Sequence, residues 1–132
     1  MLNILIVDDS VLMINNIRAY AENLGHYVIG EARNGEEAVE LCSKLNPDLV
    51  TMDITMPNMD GLTAISKIKE FNENVNIIVV TSHGQEEIIM RALQAGAKGY
   101  ILKPVSETNL NKTIDSIYND NITNKEEYLL DD

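Results

Sequence analysis

The sequence predicts an α/β fold: a doubly wound, flavodoxin-like (βα)5 sheet of five parallel strands in the order 2-1-3-4-5. Three observations predict it. Short runs of leucine and β-branched residues recur along the chain, each bounded by polar or glycine residues. Between them, apolar residues return at helical spacing. The conspicuous polar residues of the runs stand at their carboxyl ends. Strands alternating with helices pack only as a parallel sheet with right-handed crossovers and helices on both faces.

Leu2 to Val7, apolar but for Asn3, reads as a strand buried on both sides. Ile14, Ile17, Ala21 and Leu24 then recur at helical spacing from Val11 to Leu24, and Gly25 stops that helix. Tyr27 to Ala32 reads as the second strand, closed by an Asn34-Gly35 turn. Glu36 to Leu45 carries Ala38, Leu41, Cys42 and Leu45 on one stripe and ends at Asn46-Pro47. Asp48 to Asp53 is the third strand. Gly61 to Phe71 is a helix with Ala64, Ile65 and Ile68 inward, and Asn76 to Thr81 a strand built on Ile77-Ile78-Val79-Val80. Gln85 to Ala95 is a helix ended by Gly96, Gly99 to Leu102 a short fifth strand, and Ser106 to Tyr118 the last helix.

A chain of 132 residues fits one domain, here residues 1–119, followed by an acidic tail or linker stub over residues 120–132. Hydrophobic content of 45% lies above the disordered range. A formal charge of −11 disfavours direct binding to nucleic acid or anionic lipid, and no apolar run approaches the length of a membrane span. The single cysteine, Cys42, leaves the fold free of internal disulfides, and with no export signal this points to the cytoplasm.

Asp8 and Asp9 close the first strand, Asp53 the third, Thr81 the fourth and Lys103 the fifth. Ligands of open α/β sheets bind beyond the carboxyl ends of the strands, where strand order reverses. With order 2-1-3-4-5 that point lies between strands one and three, so three carboxylates converge beside one lysine. Like charges about 4 Å apart repel by about 4 kcal/mol at an effective dielectric of ~20. A hard divalent ion, Mg²⁺ with Mn²⁺ as the alternative, relieves that conflict through oxygen ligands. Asp53 then suits a nucleophile toward phosphorus, with the ion and Lys103 as clamps and the Thr81 hydroxyl as hydrogen-bond donor.

Ile6-Val7-Asp8-Asp9-Ser10, Met52-Asp53-Ile54-Thr55-Met56-Pro57-Asn58-Met59-Asp60-Gly61, Val80-Thr81-Ser82 and Leu102-Lys103-Pro104 together resemble the receiver domain of two-component response regulators. The likeness runs from residue 1 to about residue 119. It implies Asp53 as phosphoacceptor, and Asp9, Asp53 and the Ile54 carbonyl as Mg²⁺ ligands with Asp8 acting through water. It implies Lys103 as the partner of the acceptor and then of the phosphoryl group, with a cis bond before Pro104. Thr81 and Tyr100 resemble the switch pair, Tyr100 turning inward as Thr81 moves to the phosphoryl oxygen. Ser82 is a further phosphate contact. Thr55 and His83, two residues beyond Asp53 and Thr81, are placed to modulate the lifetime of the phosphorylated state.

Each residue also has an ordinary reading. Asp9 or Ser10 suits a helix cap, Asp53 an Asx turn, and Thr81, Tyr100 and Lys103 plain strand positions. Convergence on one crevice is what these leave unexplained. Other classes fit worse. An FMN carrier needs donors, not Asp8-Asp9, after the first strand. An aspartate-nucleophile phosphatase wants an acid where Thr55 stands, and no Gly-Lys-Ser/Thr phosphate loop exists. The chain is therefore read as a phosphoacceptor that promotes its own phosphorylation and dephosphorylation, not as an enzyme.

The resemblance implies a sensor histidine kinase as donor and a protein target, a flagellar motor switch or other effector, at the fourth helix, fifth strand and fifth helix. A stand-alone chemotaxis-like regulator is the first reading, monomeric or dimerising on phosphorylation. The alternatives are a phosphorelay intermediate, or the receiver of a longer transcription factor or chemotaxis esterase.

Overall fold

The computed structural model describes residues 1–56 and 60–119. Pro57-Asn58-Met59 of the third-strand motif, and the expected tail or linker at 120–132, lie outside the described residues. Five strands alternate with five helices: β1 (Asn3–Val7), α1 (Val11–Asn23), β2 (Tyr27–Ala32), α2 (Gly35–Leu45), β3 (Leu49–Asp53), α3 (Gly61–Phe71), β4 (Asn76–Thr81), α4 (Glu86–Ala95), β5 (Gly99–Leu102) and α5 (Glu107–Tyr118). All neighbouring strands pair in parallel, in the order β2-β1-β3-β4-β5, as the sequence predicts.

Several boundaries differ from expectation by one residue, two of them where side chains cap. Asn34 does not form a turn with Gly35; its Oδ1 accepts the Glu37 N–H at 2.8 Å and Gly35 is already helical. Ser106 stands outside α5, its Oγ accepting the Asn109 N–H at 3.0 Å while Asn109 Oδ1 accepts the Ser106 N–H at 2.8 Å. Such a reciprocal cap satisfies two otherwise unpaired amides, and losing a cap costs about 1 kcal/mol. Ser10 caps α1, accepting the Met13 N–H at 3.2 Å, which leaves Asp9 free of that duty. Gly25, with φ +91°, takes the left-handed turn that stops α1.

Strand side chains alternate between two core layers. Leu5, Val7, Val50, Met52, Ile77 and Val79 face Ala38, Cys42, Ala64, Ile65, Ile68 and Ala92 of α2, α3 and α4. Ile4, Ile6, Leu49, Ile78, Val80 and Ile101 face Ile14, Ile17, Ala21, Leu110 and Ile114 of α1 and α5. β1, apolar on both sides, contributes to both layers. Burial pushes the Cys42 thiol up to about 11.

At the amino-terminal edge of the sheet, Asp48 Oδ2 accepts the Asn3 N–H at 2.8 Å, holding Asp48 just ahead of β3. Tyr118 donates its hydroxyl to the Asp48 carbonyl at 3.2 Å and accepts from Asn76 Nδ2 at 2.8 Å, tying α5 to the strand starts. His26 is half-buried in the loop after α1, and its Nδ1 accepts the Leu2 N–H at 3.1 Å. Burial lowers its pKa from 6.5, the amino terminus adds to the shift, and Asp115 opposes it. A base with a lowered folded pKa contributes stability that is present above its unfolded pKa and lost as pH falls below it. The melting temperature is therefore expected to drop between pH 7.5 and 5.5 by more in the parent than in His26→Gln, as followed by circular dichroism.

Candidate functional site

Period-two alternation brings the predicted residues together. Asp53 follows Leu49 on the α1/α5 side of β3. Asp8 and Lys103, each one residue beyond its strand, continue the parity of Ile6 and Ile101 on that same side. Val7 pairs with Met52, so Asp8 and Asp53 come level on adjacent strands. Asp8 is 0% and Asp53 4% exposed, whereas Asp9 is open to solvent. One carboxylate oxygen from each of Asp8, Asp9 and Asp53 lies within 4.8 Å of the others.

Each buried strand-end side chain is held by the backbone amide two residues on. Ser10 N–H donates to Asp8 Oδ1 at 2.9 Å, Thr55 N–H to Asp53 Oδ1 at 3.1 Å, and His83 N–H to Thr81 Oγ1 at 3.0 Å. The Asx turn considered for Asp53 thus forms, and it serves the site: one oxygen is fixed while the other faces the crevice. Lys103 Nζ lies 3.1 Å from Asp8 Oδ2 and 3.8 Å from Asp53 Oδ2, nearer to Asp8 than to the acceptor it was expected to pair with. Asp8 Oδ2 is buried and makes no hydrogen bond, so this contact is an ion pair with off-axis angles. The Lys103–Pro104 peptide is cis.

Burial pushes the Asp53 carboxyl above its ordinary pKa. The Thr55 amide and Lys103 oppose that shift, and the charges of Asp8 and Asp9 add to it. Three acids facing one lysine leave negative charge in excess, and the donor set is all oxygen. With a buried carboxylate oxygen left unbonded, this cluster fits a hard divalent cation. Asp8, Asp9, Asp53 and the Ile54 carbonyl are the groups that would hold it; that carbonyl now accepts a long 3.4 Å hydrogen bond from Gly61.

The side chains of the remaining predicted residues make no hydrogen bond to the three carboxylates or Lys103 among the described residues. Thr81 is fully buried at the end of β4, while Thr55, Ser82 and His83 are exposed. Tyr100 is 45% exposed on the edge strand β5, level with Val79 rather than with Thr81.

Two participants escaped sequence reasoning. The φ of Gly61 is unexceptional, but a Cβ there would lie 2.4 Å from the Asp53 carbonyl and 2.5 Å from Ile54 Cα. It lets α3 abut the acceptor's backbone. Arg33, after β2, donates to the Asp9 carbonyl at 2.9 Å and 3.3 Å. No motif marks an arginine at that position; only the contact across loops reveals it.

Residues 4–115 match the response regulator receiver domain. The chain belongs to the receiver family. This receiver is 41% identical over 114 residues to the chemotaxis protein CheY of Thermotoga maritima, covering 86% of this chain and 95% of the relative. It is 46% identical over 114 residues to CheY of Halobacterium salinarum, covering 86% and 94%. Among solved structures, the CheX-CheY-BeF3-Mg complex of Borrelia burgdorferi matches with a TM-score of 0.85 at 38% identity, over 88% of each chain. Receivers are phosphoacceptor signalling proteins rather than conventional enzymes, and they bind Mg²⁺ at an acidic pocket. Among the described residues, no helix is long and apolar enough to cross a membrane.

Asp53→Asn removes a desolvated charge that repels Asp8 and Asp9. In metal-free buffer it is expected to raise the melting temperature by roughly 3–5 °C, equivalent to about 1 kcal/mol in a domain of this size. Added Mg²⁺ should stabilise the parent more than the variant and shrink that gap. Gly61→Ala should lower the melting temperature, because backbone atoms rather than a flexible side chain fill the space.

Proposed function

We propose that this receiver takes a phosphoryl group onto Asp53 from the phosphohistidine of a sensor histidine kinase, and acts as a stand-alone CheY-like regulator in the cytoplasm. The observation that carries it is the state of the Asp53 side chain. Oδ1 is bonded to the Thr55 amide, and Oδ2 faces Lys103 within a buried three-carboxylate cluster. Oδ2 is the nucleophile: its bond to phosphorus forms as the phosphorus–nitrogen bond breaks and the donor imidazole leaves. Asp9, Asp53 and the Ile54 carbonyl would ligate Mg²⁺ (Mn²⁺ in its place), with Asp8 acting through water. When bound, the ion supplies positive charge against the phosphoryl oxygens. Lys103, now 3.1 Å from Asp8, swings to a phosphoryl oxygen. Ser82, exposed beside Thr81, is a second phosphate contact.

Thr81 exchanges its bond with the His83 amide for one to the phosphoryl group, and Tyr100 turns from solvent into the space vacated. Met90, Leu93, Tyr100 and Leu102, all exposed, lie on the α4–β5–α5 face that changes with it. That face is the docking surface for an effector. Phosphorylation shifts the equilibrium only by its differential interaction with the two arrangements. The likeness to CheY proteins along 94–95% of their length supports this reading, as does the Borrelia CheY, whose complex holds Mg and CheX. Residues 1–119 form the receiver unit and residues 120–132 a tail or linker, and the free protein is a monomer.

Incubation with Mg²⁺ and a small acyl phosphate should add about 80 Da, one phosphoryl group, to the parent in intact-mass spectra. Asp53→Asn should add nothing; equal gain in both would place the chemistry elsewhere. Thr55→Ala and His83→Ala are each expected to change the decay rate of the phosphorylated form severalfold. Unchanged decay in both would remove the role given to these positions.

A further inference from the structure

We propose that Arg33 is a positioning residue for the metal site: it fixes the direction of Asp9 by clamping the peptide that follows it. The proposal presupposes that the carboxylate cluster takes a divalent cation. Asp9 differs from its neighbours in the cluster. Asp8 and Asp53 are buried and each is held through a side-chain oxygen, but Asp9 is exposed and its side chain accepts no bond among the described residues. Its order must come from its backbone.

The Asp9–Ser10 peptide is bonded at both ends. Its carbonyl accepts from Arg33 Nη2 at 2.9 Å and Nε at 3.3 Å. Its N–H donates to Asp8 Oδ1 at 2.9 Å. These two bonds hold the torsions on either side of the peptide, and with them the Cα–Cβ direction of Asp9. The clamp has a firm base: Asp8 N–H donates to the Ala32 carbonyl at 3.0 Å, so the β1–β2 ladder runs up to Arg33. Arg33 N–H in turn donates to Glu37 Oε1 at 2.7 Å, inside the amino-terminal turn of α2.

The chemistry of the contact is informative. In a chain with 21 acidic residues, this guanidinium forms no ion pair among the described residues and spends two donors on one carbonyl. A guanidinium offers donors in a fixed fork, which a lysine ammonium does not. Charge and position predict opposite outcomes on removal. A cation beside a cation site repels the metal, so deleting Arg33 for its charge alone would tighten Mg²⁺ binding. Deleting it as a clamp loosens Asp9 and weakens binding.

The test is calorimetric titration of Mg²⁺ into the full chain, its Arg33→Ala and its Arg33→Lys variants, together with hydrogen exchange of the Ser10 amide without metal. Arg33→Ala should bind Mg²⁺ about three- to tenfold more weakly, the range of one ordinary hydrogen bond. Its melting temperature should stay within about 2 °C of the parent, as for other exposed substitutions. Arg33→Lys should recover part of the affinity, and Ser10 should exchange faster in Arg33→Ala. Affinity in Arg33→Ala equal to or above the parent's overturns the proposal. If the parent itself takes up no Mg²⁺, the metal reading fails separately, and the clamp is then decided by Ser10: faster exchange in Arg33→Ala upholds it, an unchanged rate overturns it.

Discussion

The structure depends on a conflict of like charges held in place by strand register. Pairing of Val7 with Met52 sets Asp8 beside Asp53, and the fold gives neither a way to turn out to solvent. Burial and mutual repulsion raise the free energy of the ionised Asp53, and Lys103 offsets only part of it. A fold optimised for stability alone would place apolar groups here. What the arrangement gains is readiness: a site short of positive charge is suited to whatever brings it.

The two core layers hold the crevice more firmly than its rim. β1 and β3 are covered on both faces, so the strands that carry the acids have no freedom to shift. β5 is an edge strand with Tyr100 and Leu102 largely exposed, and α4 buries only Ala92 fully. Stability is lowest where few apolar contacts hold an element. Rearrangement therefore costs least at the edge strand that carries Tyr100 and most on the side of Asp8 and Asp53. The Tyr118 hydroxyl, bonded to Asp48 and Asn76, anchors α5 at the opposite end from the crevice.

Much of this was legible in the residues. Element order and type followed from apolar periodicity, and the crevice from polar residues at the ends of Ile6-Val7, Met52 and Val80, because period-two alternation survives translation into structure. Boundaries erred by one residue at Leu2, Leu24, Gly35, Asp48, Gln85 and Ser106, because hydropathy is silent about where backbone pairing starts and stops. The pairing of Lys103 with Asp8 was not legible, since which of two nearby carboxylates a flexible amine meets depends on fractions of an ångström. Nor was the reason for Gly61, which lies in the approach of α3 to the Asp53 backbone rather than in its own torsions. Arg33 escaped because its partner is a main-chain oxygen, and no sequence pattern advertises a carbonyl.

Cys42 carries a practical consequence. Its sulfur is sealed within the layer under α2 and its proton is held until about pH 11. Thiol-directed probes attack the thiolate and need access, so near neutral pH the native chain is effectively silent toward them. A second cysteine placed on the α4–β5–α5 face could thus carry a fluorophore or spin label with the wild-type background left intact, making the chain its own reporter of rearrangement.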